Sequence, residues 1–507
     1  MTRQAVVLLA ILAAGCAAKP RSSPASPPAH DLSRADALLE AGCYRCLREA
    51  YDLYEAALAA PVPSSSARNG AFSTAVLLAI REKELGLPAA PWLDRAEALG
   101  LPGTQRYVDI VVRLPWTTAG QVPDFETPER LSAGVIDAWL AAPAAATFSL
   151  LEQYLAIALT CERGRPIDVA TARTFDLTRR PLRYRFGLCG MSRRDHLTAV
   201  LAEDARFVEA SFFIGRYEMT QGVAPVGSVG SRAWLTRALP PLREAHEGLP
   251  EAPVVTIVLA DLMRSRTELV RALDLYDQAL TLRPAQRDAL LGRLITLTYL
   301  DRRDEAIAAA TRMIQLGTWH VGMAYYWRSW NHYRSGRLEA AAADIAAARR
   351  SVVTDEVLAL SGRIAYDQKR PIDARADLTG ALNMNANHCM ARWYAGLLDV
   401  DEASWADAVH TFATAGGCFH QAAESTRAEI AQLPEDLPAE ARELQVASIT
   451  ESVTNSLQQA GRAFFNAAQA AMRLEDRPAA AAFARSAASY ESMKERAEAL
   501  LKALERN

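Results

Sequence analysis

From about residue 238 to 415 the small and apolar positions recur with almost constant spacing. Alanine stands at Ala238, Ala272, Ala306, Ala341, Ala374 and Ala408, so successive intervals are 34, 34, 35, 33 and 34. Four residues after each anchor comes Leu242, Tyr276, Ala310, Ile345, Leu378 or Phe412. Three further on comes Ala245, Ala279, Met313, Ala348, Ala381 or Ala415. Offsets of four and three put all three positions on one helical face. Twelve residues before an anchor, an earlier helix presents Ala260, Leu294, Ser329, Gly362 or Gly396, mostly small side chains that let a partner helix come close. Pro250 and Pro284 punctuate the ends of two units. The pattern predicts helix pairs repeated about every 34 residues, each burying its apolar face on its neighbours.

Period and pattern together resemble the tetratricopeptide repeat, in which antiparallel helix pairs stack into a right-handed superhelix. The resemblance implies an all-α fold, an α-solenoid of helix-pair repeats, with an array from 207 to 416. In that family the first helix of each pair lines a concave groove that binds a protein or peptide. With each unit starting nineteen residues before its anchor, the groove positions here are Asp261 and Arg264, Leu291 and Ile295, Tyr326, Trp330 and Tyr333, Arg363 and Tyr366, and Trp393. Aromatic residues and arginine are the side chains that dominate binding hot spots. The same aromatics at helical spacing also suit the space between stacked helices.

Outside the array the pattern changes. Ala5 to Ala14 is an uninterrupted apolar run behind Arg3, of signal-peptide length and too short for a comfortable membrane span. It ends in Leu12-Ala13-Ala14-Gly15-Cys16, which resembles a bacterial lipoprotein box, although leucine stands one place earlier than that family prefers. The resemblance implies cleavage after residue 15 and lipidation of Cys16. Ala17 follows where an inner-membrane retention signal usually shows aspartate, which implies the outer membrane of a bacterial envelope, with the body facing the periplasm. Residues 16–30 carry a tether rich in proline, serine and alanine. An isolated repeat-like pair is expected over 31–60, with Ala50, Tyr54 and Ala57 at the repeat offsets.

From 61 to 206 helical segments continue without the period, expected at Ala71 to Leu85, Pro91 to Leu99, Pro128 to Ala141 and Thr147 to Arg163. Phe207 to Tyr217 resembles a first helix, with Gly215 at the close-packing position and a loop from Gln221 to Ser231 inserted before its partner. Beyond the array, 417–507 reads as a helix from Phe419 to Gln432, a long one from Ala439 to about Arg473, and a final repeat and cap in which Ala481 and Ala488 match the offsets.

Besides Cys16 there are six cysteines, in three near neighbours: Cys43 with Cys46, Cys161 with Cys189, and Cys389 with Cys418. An even remainder suits disulfides in an oxidising compartment. Cys389 opens one helix of its pair and Cys418 lies just past the end of the other, so a disulfide there is geometrically reasonable. His388 and His420 flank that pair, and a Cys/His metal site is the sharper alternative, although its spacing matches no common zinc motif. Cys43-Tyr44-Arg45-Cys46 has the spacing of a thiol-redox site at a helix start, without a βαβ pattern around it.

Composition narrows the function classes. The formal net charge over 507 residues is −3, so nothing global points to nucleic acid. Nine arginines between Arg163 and Arg194 form either an anion-binding patch or a solvated face paired with carboxylates. The chain holds no H-E-x-x-H, G-x-S-x-G, Walker A or dinucleotide glycine motif, and its eight histidines are scattered. The expectation is a non-catalytic, lipid-anchored scaffold without cofactor or metal, its groove holding a protein or peptide. The alternatives are a thiol-redox or metal-binding protein using Cys43 and Cys46, and a small-ligand carrier built in 61–206.

Overall fold

The computed structural model describes residues 31–60, 64–113, 131–141, 149–162, 173–189, 193–221, 234–317, 321–433 and 439–506. The expected signal segment, Cys16, the tether and most of the 221–231 loop lie outside the described residues. Within them the chain forms helices and no strand.

The helices are α1 (Ser33–Ala41), α2 (Tyr44–Leu58), α3 (Ser65–Glu84), α4 (Ala90–Ala98), α5 (Thr104–Arg113), α6 (Ala133–Ala141), α7 (Ser149–Glu162), α8 (Arg180–Cys189), α9 (Arg193–Glu203) and α10 (Val208–Gln221). A short α11 (Trp234–Arg237) precedes α12 (Leu239–Gly248). The regular units follow as pairs: α13 (Pro253–Ser265) with α14 (Leu269–Leu282), α15 (Arg287–Tyr299) with α16 (Arg303–Gln315), and α17 (Val321–Arg334) with α18 (Leu338–Ala348). Next come α19 (Asp355–Asp367) with α20 (Pro371–Met384) and α21 (Cys389–Asp401) with α22 (Trp405–Ala428). The chain ends with α23 (Ala439–Arg473), α24 (Arg477–Ala488) and α25 (Lys494–Arg506).

Every anchor from Ala238 to Ala408 is fully buried, as are Leu242, Tyr276, Ala310 and Phe412 four residues on. The small residues predicted on the first helices do the work expected of them: a Cβ at Gly362 would meet Leu378 at 2.7 Å, and one at Gly396 would meet Phe412 at 2.9 Å. Each first helix also touches the first helix of the next unit, so the units stack into an α-solenoid.

The turn inside each pair repeats as strictly as the packing. Thr267, Asp301, Gly336, Lys369 and Ala403 have φ of 61, 56, 72, 60 and 54°, each five residues before an anchor. The next amide reaches back to the first helix: Glu268 to Met263 O, Arg302 to Leu297 O, Arg337 to His332 O, Arg370 to Ala365 O and Ser404 to Asp399 O, at 2.8–3.0 Å. This is a left-handed C-cap that satisfies carbonyls the helix end would leave open. Glycine supplies the conformation once in five, so glycine alone does not mark these turns.

The same turn corrects the register of the last unit. Glu475 has φ 59° and the Asp476 amide bonds Ala471 O at 3.0 Å, which places the anchor at Ala480. Ala480, Ala484 and Ala487 are fully buried, whereas Ala481 and Ala488 are half-buried. The expected offsets are therefore one residue late, because alanine occupies nearly every position there and periodicity could not choose among them. A second correction concerns the expected break near 417: α22 runs unbroken for 24 residues. Gly416 does not end it but lets α23 approach, since a Cβ there would meet the Phe464 ring at 2.9 Å.

In the region without period the expected segments appear as α3, α4, α6 and α7, joined by α5, α8 and α9, which the pattern did not reveal. One continuous core runs from Ala35 to Ala289, so these helices and the first regular units share their apolar interior.

Candidate groove across three first helices

The first helices α17, α19 and α21 lie side by side, and one cluster of side chains joins them. Arg363 of α19 donates from Nε to the hydroxyls of Tyr333 on α17 and Tyr394 on α21, both at 2.9 Å. Its guanidinium carbon lies 4.5 Å from the centre of the Tyr333 ring, 5.3 Å from Tyr394 and 5.6 Å from Trp330. Three aromatic faces around one cation fix the plane of the guanidinium. Both hydrogen bonds leave from Nε, so among the described residues neither terminal nitrogen of Arg363 is hydrogen-bonded to protein. Tyr333 donates to Asp367 Oδ2 at 2.6 Å, and burial followed by that carboxylate pushes its ionisation well above the ordinary range. Tyr366 packs edge-on against Tyr394 at 5.6 Å, with the Lys369 ammonium 5.4 Å from the centre of its ring. All four rings and the arginine are half-buried, in contrast to the fully buried anchors.

The other expected positions divide. Tyr326 is half-buried against Trp327 at 5.2 Å and belongs to the same face, with Tyr299 of α15, 58% exposed, next to Trp327 at 6.1 Å. Asp261 and Arg264 bond each other at 3.1 Å and meet Tyr276 of α14, whose hydroxyl donates to Asp261 Oδ1 at 2.6 Å. They stitch one unit together rather than joining the cluster. Trp393 turns away, packing edge-on against Phe412 of its own pair at 5.4 Å, and Tyr394 takes the cluster position. Adjacent aromatics at 393 and 394 were the available signal; a register good to one residue could not separate them.

All three expected disulfides are present, with Cα–Cα distances of 4.9 Å for Cys43–Cys46, 5.9 Å for Cys161–Cys189 and 5.5 Å for Cys389–Cys418. A redox role needs an accessible pair, but Cys43 and Cys46 are 0% and 2% exposed, and Cys43 Sγ accepts the Cys46 amide to cap α2. The Cys/His metal alternative fails on its ligands, since the thiols are joined and His420 Nδ1 lies 3.0 Å from the Tyr490 hydroxyl. His388 does approach Asp355 and Glu356, their candidate ligand atoms lying within 4.8 Å of one another. Its Nδ1, however, accepts the Ala391 amide at 3.2 Å and caps α21. The neutral ring therefore carries its proton on Nε2, 3.4 Å from Glu356, and offers no lone pair to a metal there.

Five arginines of the arginine-rich stretch are paired with carboxylates. Among the described residues, Arg179 meets Glu40 at 2.6 Å, Arg180 meets Asp204 at 2.7 Å, Arg185 meets Glu84 at 3.0 Å and Arg194 meets Glu218 at 3.0 Å. Arg183 pairs with Glu203.

No protein-family model and no curated protein matches this chain. Among solved structures, yeast Tom70 is 13% identical, covering 91% of this chain and 87% of its own, with a TM-score of 0.34. The APC/C hetero-tetramer Cut9-Hcn1 is 12% identical over 93% and 85%, with a TM-score of 0.34. YrrB, described as a TPR protein with an unusual peptide-binding site, is 18% identical over 52% and 97%, with a TM-score of 0.26. These likenesses carry no information on partner or activity. By the anchors, close-packing positions and left-handed turns of its own helices, the chain is an α-solenoid of antiparallel helix pairs that resemble tetratricopeptide repeats.

Proposed function

We propose that the protein is a lipid-anchored, non-catalytic scaffold of a bacterial envelope, an outer-membrane lipoprotein that holds a protein or peptide partner along its first helices. The observation that carries the reading is Arg363: a cation held by three aromatic rings and two hydroxyls, its terminal nitrogens bonded to none of the described residues and so able to take a carbonyl or carboxylate. Pre-organisation of this kind lowers the entropy cost of binding. The anchor rests on the sequence pattern ending at Cys16. No described helix is long and apolar enough to cross a membrane.

The test is a crosslinking capture from native membranes with wild type, the double variant Trp330→Ala plus Arg363→Ala, and Cys16→Ser, with captured proteins identified by mass spectrometry. The wild type is expected to capture a defined partner set. The double variant, its helicity intact by circular dichroism, is expected to lose at least tenfold in capture. Unchanged capture by the folded double variant removes the groove from the reading. Cys16→Ser is expected in the soluble fraction, and its retention in the membrane removes the anchor.

A further inference from the structure

Away from the first-helix face, a cavity of about 440 Å³ lies between the second helices α18 and α20, with α19 as its floor. That size falls within the range of small-molecule sites. Its sequence is unlike the same place in neighbouring units. One residue past the anchor, the other units carry Leu239, Leu273, Ile307, Arg375 and Val409, whereas this unit carries Ala342. Eight past the anchor, where His246, Leu280, Ile314, Leu382 and Gly416 stand in the other units, it carries Arg349. A wall side chain has been shortened and a cation set at the edge of the space so opened.

Half of the lining is polar: Arg370 bonds Asp373 at 2.8 Å and Gln368 at 3.3 Å, and the other three polar side chains converge on one another. Arg349 Nη1 donates to Asp377 Oδ2 at 2.7 Å and to Ser361 Oγ at 3.2 Å, and Ser361 donates to the same carboxylate oxygen at 2.6 Å. The Asp377 side chain is only 10% exposed. All these bonds use Nη1 and Oδ2, so among the described residues Nε and Nη2 of Arg349 and Oδ1 of Asp377 make no hydrogen bond to protein. The rest of the wall includes Ala342, Ala346, Ile364 and Ala365.

We infer that this cavity binds a free α-amino acid with an aliphatic side chain. An α-amino acid carries a carboxylate and an ammonium on neighbouring atoms, which matches an Arg349–Asp377 pair with one open edge on each partner. A plain carboxylate would leave the Asp377 edge facing it, and a plain amine would leave the Arg349 edge facing it. The aliphatic side chain lies along the alanine and isoleucine wall, where its burial adds to the affinity. The site is independent of the Arg363 cluster and remains whether or not that face binds a partner.

The experiment is isothermal titration and thermal unfolding of the full chain with each of the twenty free L-amino acids. N-acetyl-L-leucine and L-leucinamide, which each lack one charge, are the controls. At least one aliphatic amino acid is expected to bind and raise the unfolding temperature, with at least tenfold weaker binding of both capped forms. Ala342→Leu, which restores the side chain of the Leu239 and Leu273 positions, is expected to abolish binding while keeping the helical spectrum; Asp377→Asn is expected to weaken it at least tenfold. Absence of binding by every amino acid, equal binding of the capped forms, or binding undiminished in folded Ala342→Leu each overturns the proposal.

Discussion

Arg81 is 2% exposed and shows how much one residue can gather when nothing local announces it. Its Nη1 donates to Glu84 at 3.0 Å and Tyr154 at 2.8 Å, its Nη2 to Gly42 O at 3.3 Å, and its guanidinium lies 3.6 Å over the Tyr184 ring. Nε stands 3.9 Å from Glu209, which in turn accepts the amide of Tyr44, the residue after Cys43. Burial, only partly opposed by Arg81, pushes the Glu209 carboxyl up to about 7. The folded state thus binds this proton more tightly than the unfolded chain, whose carboxyl titrates near 4.5. The contribution is fully present below about 4.5 and is lost as pH rises through 7, a difference on the order of 3 kcal/mol. Glu209→Gln keeps an acceptor for the Tyr44 amide without titrating. Denaturant unfolding at pH 5 and pH 7.5 is expected to show the wild type losing stability relative to Glu209→Gln as pH rises; parallel behaviour of the two would contradict the assignment.

At the scale of the element, the turn between paired helices is the most regular feature of the array, and it is made mostly by residues that dislike it. Non-glycine side chains in the left-handed region cost about 1 kcal/mol. Ala403, at φ 54°, has no side-chain bond with which to offset that cost, whereas Gly336 at φ 72° has no cost. Ala403→Gly is therefore expected to stabilise by about 1 kcal/mol and Gly336→Ala to destabilise by a similar amount, read from denaturation midpoints. The anchors were legible because alanine, a large residue and a small residue at offsets of four and three must face the same neighbour. The turns were not, because their conformation is imposed by the packed helices on either side and leaves Thr267, Asp301, Lys369 and Ala403 without a common side chain.

For the whole molecule, the array stacks by nearest-neighbour contacts, so a local staple has a local effect. Cys389–Cys418 closes a span of 29 residues, which by chain entropy restrains the unfolded unit by about 3–4 kcal/mol. Replacing both cysteines by serine is expected to speed hydrogen exchange in α21 and α22 and leave α13 to α16 unchanged. Faster exchange throughout would show one cooperative body in place of separable units. The long α23, 35 residues and about 52 Å, packs along α22 and then supplies the first helix of the last unit, so the C-terminal end is tied to the array by the helix itself.

By itself the sequence determined the architecture. A 34-residue period of small and apolar positions has few other solutions, and it named the buried face and most of the first-helix aromatics; the cysteine spacing named the three disulfides. Tertiary structure decided everything that depends on a rotation of one residue, about 100° around a helix. It chose Tyr394 over Trp393 and Ala480 over Ala481, and it kept α22 continuous through Gly416. It also brought Arg81 to Glu209 and Arg349 to Asp377, contacts between residues 128 and 28 positions apart that no local pattern encodes.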